Sequence, residues 1–136
     1  MARLALRSAS LITLLALGAS TALAQRETER YIPIGQSPGV SQTATIGVIE
    51  AVNAADRSIR VAGREAAHWV RLTDRTRIWL DRTHLAQTNL IGGFRDCEVG
   101  RTVEIRYEDP VSRAVAAWIK IAVPAAVAPD ADVRSR

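Results

Sequence analysis

Apolar and polar residues alternate through most of residues 43–123, with the two-residue period of β-strands. Residues 43–52 are rich in Thr, Val and Ile. Asn53-Ala54-Ala55-Asp56 reads as a turn, and Ser58-Ile59-Arg60-Val61 then alternates cleanly. Gly63-Arg64 turns the chain again before strands at residues 67–72 and 76–80, split by Thr73-Asp74-Arg75. Residues 102–107 alternate, Asp109-Pro110 breaks them, and a long last strand is expected over residues 113–123. Short strands with turn signals every few residues predict an all-β domain, an antiparallel barrel or sandwich of five to six strands.

One insertion interrupts the series. Residues 81–100 begin with a possible cap at Asp81 or Thr83, and a short helix is expected near residues 84–90, ended by Gly92-Gly93. Phe94, Cys97 and Val99 then lead to Gly100. A short helical insertion between the strands of a small barrel recurs in OB-like folds, which makes an OB-like barrel the expected architecture. Residues 25–42 are polar and punctuated by Pro33, Gly35, Pro38 and Gly39, so they read as an arm that Tyr31, Ile32 and Ile34 could pin to the domain. Residues 124–136 lack large apolar side chains and are expected to form a disordered tail.

Successive strand residues point to opposite faces. With Ile59 and Val61 inward, Val70, Leu72, Ile78, Leu80, Val103, Ile105, Tyr107, Ala117, Ile119 and Ile121 share the core face. The opposite face carries Arg60, Trp69, Arg71, Arg77, Trp79, Glu104, Arg106, Trp118 and Lys120. All three tryptophans therefore fall among cations on the non-core side. Indoles stack on planar or sugar-like ligands and guanidinium groups meet anions, so Trp69, Arg71, Arg77, Trp79, Arg106, Trp118 and Lys120 are the candidate ligand-binding surface. The competing expectation is that the arm or the insertion covers these rings, since large aromatics on a small domain pack against something.

The start of the chain bears on location. Arg3 and Arg7 precede the apolar run Leu11-Ile12-Thr13-Leu14-Leu15-Ala16-Leu17, and Ala22-Leu23-Ala24 gives a small-x-small exit before Gln25. This three-part pattern predicts a secretory signal peptide over residues 1–24 and a periplasmic or secreted product. The run is shorter than the ~20 apolar residues that span a bilayer, and no lipobox cysteine follows it, so no membrane anchor is expected after leader removal. The formal net charge of +4 includes both leader arginines. Basic and acidic residues otherwise interleave with no run of five like charges, which predicts no nucleic-acid partner.

Candidate chemistry is sparse. Cys97 is the single cysteine, so no disulfide can form within one chain. Phe94, Cys97 and Val99 resemble apolar anchors, and Cys97 is expected to be structural rather than a nucleophile. His68 and His84 are the two histidines; with Cys97 they are the one combination that suggests a metal site, although their spacing matches no short ligand motif. Asp81, Asp96, Glu98, Glu108 and Asp109 lie near loops without a spacing that marks a catalytic pair. Gly-rich phosphate loops and nucleophile elbows are missing from the sequence, so no catalytic residue and no cofactor are assigned.

Gly47-Val48-Ile49, Ser58-Ile59-Arg60-Val61, Thr76-Arg77-Ile78, Val99-Gly100-Arg101-Thr102-Val103-Glu104-Ile105 and Ala117-Trp118-Ile119 together resemble a broad group of exported bacterial small-barrel domains of unknown function. The likeness covers about residues 43–123. It implies an OB-like barrel and transfers no catalytic residue. Periplasmic copper chaperones with an OB fold are a second comparison; they bind Cu(I) with methionines, a histidine and a stacked tryptophan. This chain offers His68 and Trp69, but its only methionine is Met1, so thioether ligation is unavailable after leader removal. The expected function is a non-enzymatic exported module that binds a small ligand or a periplasmic protein partner, with metal handling as the alternative.

Overall fold

The computed structural model describes residues 28–38 and 43–125. Residues 1–27, which include the expected leader, residues 39–42 and residues 126–136, most of the expected tail, lie outside the described residues. The described chain forms seven strands: β1 (Ala44–Asn53), β2 (Ser58–Ala62), β3 (His68–Arg71), β4 (Arg77–Asp81), β5 (Leu90–Ile91), β6 (Thr102–Tyr107) and β7 (Ala116–Ala122). They make one sheet in the order β3-β2-β1-β6-β7-β4-β5.

The long strand β1 organises the fold. Its first half pairs with β6 and its second half with β2, with a register irregularity between Ile49 and Ala51 where the strand changes partner. Such a bulge bends and twists a strand. The sheet thus wraps around one core. β3 and β4 lie on opposite sides of the wrapped sheet and are joined by residues 72–76. A single parallel bridge, Arg71 to Val115, brings β3 beside the lead-in to β7 without a continuous closing ladder.

The all-β expectation holds, and three details differ from it. First, β4 and β7 run parallel, Arg77 to Asp81 against Trp118 to Ala122, so the sheet is mixed. Second, the expected helix at residues 84–90 is a single 3-10 turn at Thr83–Leu85, stopped by Ala86 in a left-handed conformation at φ 53°. The chain then extends into β5 because Asn89 is drawn inward: its Oδ1 accepts the Arg82 N–H at 2.7 Å and its Nδ2 donates to the Arg30 carbonyl at 2.8 Å. Third, the last strand starts at Ala116 and not at residue 113. Arg113 is left-handed at φ 52°, and a register shift at Arg106/Tyr107 puts Ala116, instead of Ala117, in the core.

The core otherwise follows the two-residue period. Ile49, Ile59, Val61, Val70, Leu72, Val103, Ile105, Ile119 and Ile121 are at most 1 % exposed, and Leu80 and Phe94 pack against them. Cys97 joins this cluster. The 3-10 turn at Phe94–Asp96 carries it inward, fixed by Gly93 N–H donating to Asp96 Oδ2 at 2.7 Å.

Candidate functional site

The outer face of β6, β7 and β4 is covered by residues 28–38. Each contact is polar at the arm and specific. Ile34 N–H donates to Asp81 Oδ2 and Gly35 N–H to Glu104 Oε2, both at 2.8 Å. Lys120 Nζ donates to Ser37 Oγ at 2.6 Å and to Glu29 Oε2 at 3.2 Å, while Ser37 Oγ donates to Glu29 at 2.7 Å. Arg106 donates to the Pro38 carbonyl at 3.2 Å. These bonds bury charged groups that strand alternation places on the outside.

Beneath the arm, Trp79 and Trp118 meet with ring centroids 5.7 Å apart and planes tilted by 41°. Lys120 and Arg106 lie over the Trp118 ring, at 4.8 and 5.8 Å from its centroid. Cations over an indole face are attracted by its quadrupole, more strongly when desolvated. Of the seven residues expected to form one binding surface, the structure brings together Trp79, Arg106, Trp118 and Lys120, and shields the two rings. Trp69 is 49 % exposed and stands with exposed Arg71 on β3, while Arg77 is exposed on β4. The three indoles do not share an open patch; the arm is the cover.

Among the clefts lined by the described residues, two bear on function. The first lies at one end of the wrapped sheet, between the start of β1, the β2–β3 hairpin and the β6–β7 loop, with a volume of about 400 Å3. Ala44, Ile46 and Ala66 give it an apolar side; Thr45, Arg64, Glu65, His68 and Arg113 give it a polar one. His68 Nε2 lies 2.9 Å from the Tyr107 hydroxyl, which donates to Thr45 Oγ1 at 2.7 Å. With the phenol proton on Thr45, Nε2 of His68 is the donor to the Tyr107 oxygen. Burial pushes the Tyr107 phenol up, against the opposing pull of the Thr45 hydrogen bond and the nearby Arg113 charge. The phenol is thus neutral at physiological pH. Arg113 stacks 6.0 Å from the Tyr107 centroid and pairs with Glu65. Tyr107 is in the core as alternation places it; sequence reading missed this site because Arg113 counted as strand and nothing local pairs His68 with Tyr107.

The second cleft, of about 350 Å3, opens between the arm, the β1–β2 turn and β4; Arg30, Arg57, Arg77, Trp79 and Phe94 contribute to its wall.

The three residues considered for a metal site sit in different settings. His68 is in the end pocket, Cys97 in the core, and His84 is exposed beside Asp81. No group of three His, Cys, Asp or Glu side chains able to hold a metal occurs among the described residues.

Fold and clefts together define a small all-β domain with one strapped face and open recesses beside it. No protein-family profile matches the chain, and no curated protein does. Three solved structures of CusF are similar to it. Ag(I)-bound CusF gives a TM-score of 0.41 at 12 % identity, covering 57 % of this chain and 93 % of that one. A Cu(II)-bound CusF variant from Escherichia coli gives 0.42 at 11 %, covering 58 % and 89 %. Apo-CusF from Escherichia coli gives 0.39 at 11 %, covering 58 % and 84 %. At these scores the likeness assigns neither fold nor ligand to this chain.

Proposed function

We propose that the chain is a non-enzymatic exported binding module whose small-ligand site is the end pocket. The observation that carries this reading is that His68 and Thr45, on the wall of a cavity of about 400 Å3, are linked through the buried Tyr107 hydroxyl; the volume lies within the roughly 300–1,000 Å3 range of ligand pockets. The apolar side suits a small organic body, and the Thr45 hydroxyl and Arg113 suit an acceptor group on it. Part of the wall is tied in place: His68 to the Tyr107 hydroxyl behind it, and Arg113 to Glu65. Such a wall is preorganised for recognition, and no nucleophile stands beside a free base, which favours holding a ligand over turning it over. Export rests on the leader pattern; no helix among the described residues is long and apolar enough to cross a membrane.

The test is an NMR fragment screen on the chain from Gln25. Supporting hits perturb Thr45, His68 and Arg113 and weaken at least fivefold in Tyr107→Phe. Hits that map elsewhere, or that ignore Tyr107→Phe, overturn the assignment. The second reading is metal handling, favoured by one observation: His68 stands on the wall of the end pocket. It predicts saturable Ag(I)-induced shifts of the His68 imidazole that vanish in His68→Ala; unmoved imidazole signals end it.

A further inference from the structure

The second cleft concentrates positive charge in a way the end pocket does not. Arg30 comes from the arm, Arg57 from the β1–β2 turn and Arg77 from β4, and all three line one recess. The carboxylate lining it is Asp74, which engages Arg57 at 3.0 Å; Asp96 lies behind Gly92 with its Oδ2 accepting the Gly93 N–H. Arg77 is exposed and makes no ion pair with a described residue. Arg30 donates one Nη to the Asn89 carbonyl at 3.1 Å, yet its Nε is buried without any partner. Arg57 is held in a left-handed conformation at φ 54°, uncommon outside glycine, and its carbonyl is fixed by the Leu72 N–H at 2.9 Å. Two aromatic walls complete the site: Trp79, 6 % exposed, and Phe94, which has the Arg57 guanidinium 5.7 Å from its centroid.

We infer that this cleft is an anion site for a small phosphate monoester carrying an apolar or aromatic body. Guanidinium groups form planar forks that match phosphate oxygens in pairs. A single carboxylate has two oxygens and is satisfied by one fork; three guanidiniums from three elements suit a dianion with three terminal oxygens. The cleft is larger than a phosphate ion, and the indole and phenyl walls give the remainder of the ligand an apolar surface. The arm contributes Arg30, so the site is complete only when residues 28–38 are docked. This site is separate from the end pocket and stands whether or not that pocket binds anything.

Calorimetry on the chain from Gln25 with phenyl phosphate, inorganic phosphate and citrate tests it. The expected result is one-to-one binding of phenyl phosphate, at least fivefold tighter than inorganic phosphate, weakening as salt rises. Arg77→Gln, which breaks no recorded ion pair, weakens phenyl phosphate at least tenfold with an unchanged melting temperature. Arg60→Gln, a control whose guanidinium faces Glu50, leaves the affinity within twofold. No saturable binding at millimolar ligand, equal affinity in Arg77→Gln and the parent, or citrate binding more tightly than phenyl phosphate each overturns the inference.

Discussion

Glu104 and Lys120 stand directly opposite each other on β6 and β7, with no exposed surface on either, yet the Lys120 ammonium bonds Glu29 and Ser37 of the arm. Glu104 turns one oxygen to the Gly35 N–H and leaves the other without a partner. A cross-strand pair that would be a surface ion pair on an open sheet is thus the floor on which the arm docks. Lys120 is the chain's only lysine.

Lys120→Met strips the buried cation from Glu29, its half-buried partner, and from beside buried Glu104. Removing one partner of a buried pair costs about 3–5 kcal/mol, and the loss is expected in urea unfolding, with red-shifted emission as Trp79 and Trp118 become wet. In the native parent, an amine-acylating reagent should modify the N-terminus and spare Lys120. A loss under 1 kcal/mol with unshifted emission would falsify the arm's role as cover.

Asp81 predicts the response to acid. Burial alone would raise its carboxyl, but hydrogen bonds from the Thr83 side chain and from the Ile34 and Thr83 N–H groups, with His84 nearby, leave it below the ordinary 3.8. A carboxyl depressed on folding adds stability above its unfolded value and loses it as pH falls through the folded one. The urea midpoint should therefore drop below pH 4. Asp81→Asn should cost about 1–3 kcal/mol at pH 7 and markedly less at pH 3; an equal cost at both values refutes the linkage.

Gly47 should tolerate no side chain. A Cβ there would collide with the Ala62 carbonyl oxygen and lie 2.9 Å from a Val61 methyl, both on β2. The obstacle is backbone, which cannot rotate away. Gly47→Ala is expected to cost about 2–4 kcal/mol, in the range of overpacked cores and strained backbone. Gly93→Ala, where an added Cβ meets only the Arg95 side chain at 4.0 Å, is the tolerated comparison in the same melting experiment.

Cys97 should be inert while the protein is folded. Burial, reinforced by Asp96, pushes its thiol up to about 12, so thiolate is scarce even at pH 9. A bulky disulfide reagent should label it only at the unfolding rate. Cys97→Ser should cost about 1–3 kcal/mol by placing a hydroxyl in an apolar cluster. Stoichiometric labelling within seconds at pH 8 contradicts this.

Export can be checked directly. Expressed with its leader in a bacterium, the protein should appear outside the cytoplasm with Gln25 as its first residue by N-terminal sequencing. An intact Met1 in a membrane fraction counts against it.

Much of the fold was legible because strand alternation is local. Ile59, Val61, Val70, Val103, Ile105 and Ile119 declare an inward face through their immediate neighbours, and the structure buries them all. The same alternation put Trp79, Glu104, Trp118 and Lys120 on the opposite face, which is also where they are. Local pattern failed where one residue's conformation depends on a distant partner. Asn89, held by Arg30, ends what looked like a helix, and the Arg106/Tyr107 shift moves Ala116 inward.

Alternation states which residues share a face; it contains nothing about what covers that face. The sequence by itself determined six of the seven strands to within a few residues, most of the core and the non-core position of the three tryptophans. Tertiary structure alone decided that Trp79 and Trp118 are buried, because Glu29 reaches Lys120 across 91 positions of the chain. It likewise decided that Arg30, Arg57 and Arg77 share one recess and that His68 meets Tyr107. Those meetings follow from how the sheet wraps, and a two-residue period has no term for distances between elements remote in sequence.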